Sequence, residues 1–130
     1  MRINIKNPNP PPSKEIRKEL DEFQAELRIT FPTDYLDFMS KHDGGHDDDG
    51  TRFLYISSVR GIYIYGAEAK NPKFLVFANN GGGESFCFRC DQKPNDIYML
   101  PSVGVHADAI FVGSDLSDLV NFDIDKALSK

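Results

Sequence analysis

Tryptophan is absent from this 130-residue chain, and cysteine and histidine are scarce, with two Cys and three His. Two thiols cannot build a disulfide framework, and three imidazoles leave little material for a metal centre or a hydrolytic relay. A basic surplus is also missing: 15 Lys and Arg stand against 20 Asp and Glu, a net charge of −5. An acidic chain with no basic stripe repels phosphate backbones, so direct binding of DNA or RNA is not expected. Long apolar runs are lacking. The longest, Phe74–Ala78, is strand-sized and far short of the ~20 residues a membrane helix needs, so no membrane association is expected. Residues 1–12 contain neither an apolar signal region nor a small-residue cleavage site, which leads to the expectation of a cytoplasmic protein.

What is present is an ordinary globular balance. Apolar residues make up 40% and charged residues 27%, too apolar for a disordered chain. Ten Phe and five Tyr point to an aromatic core. The length matches one domain.

Asn7-Pro-Asn-Pro-Pro-Pro12 reads as an extended arm, because proline locks φ and lacks an N–H. Ser13 is an N-cap, and Ile16, Leu20, Phe23 and Leu27 recur at helical spacing. The opposite face, Lys14 to Glu26, reads as a solvated charged surface. Pro32 opens a second helix that Thr33 or Asp34 can cap, and Gly44-Gly45 ends it. His46–Gly50 reads as a polar loop. Strands are expected at Phe53–Val59, Gly61–Tyr65, Phe74–Ala78, Glu84–Cys90 and Ile97–Leu100, with a short extended piece at Ala109–Val112. The Asn79–Gly83 run is a turn. Ser114 caps a last helix with a Leu116, Leu119, Val120 stripe. Strands grouped without alternating helices imply an α+β fold with a mainly antiparallel sheet.

Four groups invite chemistry. Cys87 and Cys90 are spelled C-x-x-C, yet in a strand residues three apart face opposite ways, so a buried structural role is expected. His42, Asp43, His46, Asp47, Asp48 and Asp49 bring carboxylates and imidazoles together. Consecutive acids rarely converge on one ion, which leaves a solvated loop or a partner-facing acidic patch. Asn80–Glu84 is glycine-rich, but no Lys-Ser/Thr and no helix follow, so a hairpin turn is favoured over a phosphate cradle. His106 and Asp108 form a His-Asp pair without a nucleophile motif. Tyr63 and Tyr65 alternate with Ile62 and Ile64, and outward tyrosines are typical binding anchors.

Phe31-Pro-Thr-Asp-Tyr-Leu-Asp-Phe-Met39, running on to Asp43-Gly44-Gly45, resembles the first signature of the SUKH superfamily, Smi/Knr-like branch. Phe77–Phe88 is similar to its second signature, a strand, a glycine turn and an aromatic-alternating strand. Asp96-Ile97-Tyr98 and Ser114–Val120 resemble its later strand and closing helix. Phe31 stands where leucine is usual, and Asp43 where asparagine is usual. The resemblance implies one domain over 13–130 after a Pro-rich arm at 1–12, with a mixed, mostly antiparallel sheet packed by N- and C-terminal helices. It implies a protein-binding role with no shared catalytic residues and no cofactor or metal. Bacterial members are commonly immunity proteins that neutralise polymorphic or contact-dependent toxins, nucleases among them. Fungal relatives regulate cell-wall assembly. The expected partner is therefore a toxin domain, bound by a monomer or weak dimer. Its expected contact face is Asp47, Asp48, Asp49, Tyr63, Tyr65 and Glu84. A scaffold or regulatory module without a toxin is the alternative, and a small hydrolase or metal enzyme built on His106, Asp108 and the acidic loop is the third reading.

Overall fold

The computed structural model describes residues 5–48, 53–65, 73–101, 109–124 and 126. Two helices come first. Ser13 accepts a hydrogen bond from the Ile16 N–H at 3.2 Å and starts α1 (Lys14–Leu27). Arg28 then turns left-handed, with φ 54°, and ends it. Next comes α2 (Thr33–Lys41), which begins on Pro32 with no side-chain cap. Asp34, expected to cap this helix, instead accepts the Leu116 and Ser117 N–H groups, each at 2.9 Å, at the start of α3 (Leu116–Val120). Asp115, not Ser114, is the N-cap of α3, accepting from the Asp118 N–H at 2.9 Å.

The strands are β1 (Asn7–Pro8), β2 (Gly45–Asp48), β3 (Phe53–Ile56), β4 (Tyr63–Tyr65), β5 (Phe74–Asn79), β6 (Ser85–Arg89), β7 (Ile97–Leu100) and β8 (Ile110–Gly113). They form one sheet ordered β1-β2-β3-β5-β6-β7-β8, and every pairing among the described residues is antiparallel. Residues 46–48 thus form a strand where a polar loop was expected. Both edges of that strand are taken, by β1 of the Pro-rich arm and by β3. Backbone pairing outweighs the low strand propensity of Asp there.

β3 and β4 lie in line along the same edge of β5: Ile56 pairs with Ala78, and Tyr63 with Val76. Between them the chain leaves the sheet in a 3₁₀ turn at Val59–Gly61 that packs on α1. The Asp43 carboxylate anchors this excursion by accepting the Val59 N–H at 2.8 Å.

All three helices cover one face of the sheet. Leu20, Tyr35, Phe38, Met39, Leu116 and Leu119 meet Leu54, Ile56, Leu75, Phe77, Phe86, Phe88, Ile97 and Met99 in one core. Its centre is aromatic: Phe31 and Tyr35 pack on Phe88 at 5.1 and 5.2 Å, and Phe88 stacks on Phe77 at 4.2 Å. The opposite face carries a smaller buried cluster of Phe74, Val76, Cys87 and Leu100.

Gly44 sits at φ +79°, and a Cβ there would meet the Ile56 carbonyl oxygen at 2.4 Å. Only glycine allows β3 to pass so close beneath the end of α2.

Candidate protein-binding face

Strand alternation sorts the side chains. Leu54 and Ile56 point to the helices, so Phe53 and Tyr55 point away from them. Pairing carries that sorting across the sheet. His46 lies opposite Tyr55, Asp48 opposite Phe53, Tyr63 opposite Val76 and Tyr65 opposite Phe74. Val76 and Phe74 belong to the helix-free cluster. His46, Asp48, Phe53, Tyr55, Tyr63 and Tyr65 therefore share the helix-free face.

Tyr55, Tyr63 and Tyr65 are exposed there, Tyr63 to 53%. Tyr65 leans on the buried Phe74 ring at 6.5 Å, and the His46 ring stacks near Phe53 at 6.2 Å and 24°. At the far side of the same face Phe111 is 54% exposed and meets Tyr98 edge-on at 5.7 Å. Between these two aromatic regions lies Arg89, its guanidinium over Phe74 at 5.6 Å and over Tyr98 at 5.3 Å. Arg89 also donates to both carboxylate oxygens of Asp91, at 2.9 and 3.3 Å. Those bonds hold Asp91 below the usual carboxylate range.

Of the residues expected to contact a partner, Tyr63 and Tyr65 are neighbours on this face, and Asp48 shares it from the far end of β3, opposite Phe53. Asp47 alternates to the other side, where its carboxylate accepts the Lys6 N–H at 3.2 Å and holds the N-terminal arm. Glu84 is half-buried in the β5–β6 turn and accepts from Asn80 Nδ2 at 2.8 Å. That turn is built by side chains: Asn79 and Asn80 accept the N–H groups of Gly81, Gly82 and Glu84 at 2.9–3.1 Å. Gly81, at φ +73°, also makes room for the Phe53 ring, which a Cβ would meet at 2.8 Å. Asp49, His106 and Asp108 lie outside the described residues. Tyr55 and Phe111 add to the face beyond the expected residues; the Phe-Leu-Tyr-Ile alternation of β3 carries the signal for Tyr55.

The other chemistry-bearing groups have structural roles. His42 Nδ1 lies 2.9 Å from the Asn9 carbonyl, and Asp43 caps the 3₁₀ turn. Among the described residues no three His, Cys, Asp or Glu side chains gather as metal ligands. Cys87 lies in the helix-free cluster while Cys90 packs against the helix-side core, so the two sulfurs are on opposite faces and both are free. Burial pushes both thiols up, Cys90 to about 11. Neither is a ready nucleophile at neutral pH. Among the described residues no helix is long and apolar enough to cross a membrane.

The signature residues also converge on structure. Phe31 and Tyr35 of the first motif pack on Phe77 and Phe88 of the second, and Asp34 caps the helix of the last. The sequence profile of the SMI1 / KNR4 family (SUKH-1) matches residues 17–121. The uncharacterized protein YnaB of Bacillus subtilis (strain 168) is 27% identical over 107 residues, which cover 82% of this chain and 67% of YnaB. With its motifs meeting in one core under one antiparallel sheet, the chain belongs to the SMI1/KNR4 family and is a SUKH-type domain.

Proposed function

We propose that this SUKH-type domain is a non-catalytic binding protein, an immunity protein that neutralises a toxin domain in the cytoplasm by occluding its working surface. The observation that carries the reading is the exposed Tyr55, Tyr63 and Tyr65 cluster on the helix-free sheet face, with Asp48 at its margin. Tyrosines bring large rigid apolar area and a polar tip at small entropic cost, which is the chemistry of interface hot spots. Asp48 and the net charge of −5 favour a basic partner surface, such as the substrate cleft of a nuclease.

The test is a pull-down with the tagged chain from its native cell extract, run beside a Tyr63→Ala/Tyr65→Ala double variant and an Asp48→Lys variant. Asp47 is avoided, since its carboxylate also accepts a hydrogen bond from the N-terminal arm. One stoichiometric partner with a toxin activity, captured by the parent chain and lost from the tyrosine variant, supports the reading. A partner retained equally by the variants removes this face from it. Absence of any toxin partner transfers the domain to the regulatory or scaffold class.

A further inference from the structure

The charged flank of α1 does more than face solvent. Glu19, Glu22, Phe23 and Glu26 fall on one stripe of the helix, at spacings of three and four residues. The 3₁₀ excursion between β3 and β4 runs alongside that stripe and leaves a groove of about 320 Å³. Its floor is apolar, made by half-buried Phe23 and by buried Val59 and Ile62. Its rim is anionic, and among the described residues Arg60 is the one cation that lines it.

Arg60 reaches across one end to Glu19, Nε to Oε2 at 3.1 Å. The chain thus already seats a guanidinium of its own on this rim. Glu22 and Glu26 are exposed, and among the described residues neither is in an ion pair or a hydrogen bond. Two like charges one helical turn apart weaken a helix; Lys18, one turn before Glu22, offsets the first of them, whereas Glu26 has no cation three or four residues away. An anionic rim with an unoffset carboxylate, over a groove whose apolar floor opens to solvent at half-buried Phe23, fits an occupant that supplies the missing charge.

We infer that the groove between α1 and the Val59–Gly61 turn docks a basic segment of a partner protein: a stretch with two Arg or Lys side chains one helical turn apart and an aliphatic side chain between them. The cations meet Glu22 and Glu26, and the aliphatic group rests on half-buried Phe23 at the mouth of the groove. This surface is on the helix side, separate from the tyrosines of the sheet face, so it stands or falls independently of the immunity reading.

The probe is a short helical peptide with two arginines one turn apart and leucine between them, titrated into isotope-labelled protein and followed by backbone amide shifts. Shifts centred on Glu19–Glu26 and Val59–Ile62 are expected. Glu22→Gln/Glu26→Gln should weaken binding by roughly five-fold, the worth of two screened surface pairs. Tyr63→Ala/Tyr65→Ala should leave the peptide affinity unchanged. A peptide with glutamine for both arginines should not bind. Equal affinity for the glutamine variant of the protein, shifts centred on Asp47 and Asp48, or no shifts at all would each overturn the inference. Both glutamates are exposed, so their replacement by glutamine does not threaten folding.

Discussion

Tyr35 is fully buried, and among the described residues its hydroxyl has no hydrogen-bond partner. Burial, with the Asp43 charge adding to it, raises this phenol far above its ordinary value. The ring earns its place by packing on Phe31, Phe77 and Phe88, all at 5.2 Å. An orphaned buried hydroxyl costs about 1–3 kcal/mol. Tyr35→Phe keeps the ring and removes that cost, so urea denaturation should show the variant equal to or about 1 kcal/mol more stable than the parent. A loss above that size would mean the hydroxyl is satisfied in solution. Cys87 supplies the pH counterpart. Its thiol is raised by burial first, then by neighbouring Cys90. Folding therefore favours the protonated form. Stability is full below the ordinary thiol value of about 8.5 and declines as pH rises above it, by up to about 1.4 kcal/mol per pH unit. Denaturation midpoints between neutral and alkaline pH check this, and Cys87→Ala should flatten the decline.

Asp34 joins elements far apart in sequence. It sits in the first turn of α2 and accepts two N–H groups at the start of α3. α3 has only five residues and could not hold itself by propensity. Asp34→Ala should cost about 2 kcal/mol in urea denaturation, with Asp34→Asn recovering part of it. A cost below about 0.5 kcal/mol would show that Asp115 alone secures the helix. Asn95 joins the strand layer to the helices in the same way. It accepts the Thr30 N–H at 2.8 Å and donates to the Arg89 and Gln92 carbonyls at 3.0 and 2.7 Å. Helix α1, the β5–β6 hairpin and β7 were readable from periodicity and turn chemistry. β2 was not, because its Gly-His-Asp-Asp sequence lacks strand propensity and pairs only because the arm and β3 flank it.

Across the whole molecule, the aromatic sheet face and the acidic α1 groove lie on opposite sides of the sheet, one layer apart. A net charge of −5 acts over both by long-range attraction, whereas tyrosine contacts act only after docking. For the natural partner, the association rate should therefore fall as salt rises, while Tyr63→Ala/Tyr65→Ala should raise the dissociation rate. Surface-binding kinetics at two ionic strengths separate the two terms. An association rate indifferent to salt would set aside the electrostatic part of the proposed function.

The amino-acid sequence alone determined the α+β class, the helix stripes, the glycine turn and the SUKH kinship. Each of these rests on short-range spacing or on turn chemistry, which a linear chain displays directly. It also determined that Cys87 and Cys90 would part, because strand alternation is local. The tertiary structure decided the fate of each charged side chain. Asp47 went to the arm, Glu84 to its turn, Asp34 to a helix 82 residues away and Asp43 to the 3₁₀ turn. Hydrogen bonds between distant segments exist only once register and packing bring donor and acceptor within about 3 Å. For the same reason the α1 groove was invisible beforehand: its floor joins Phe23 to Val59 and Ile62, residues that only the excursion between β3 and β4 carries to the helix.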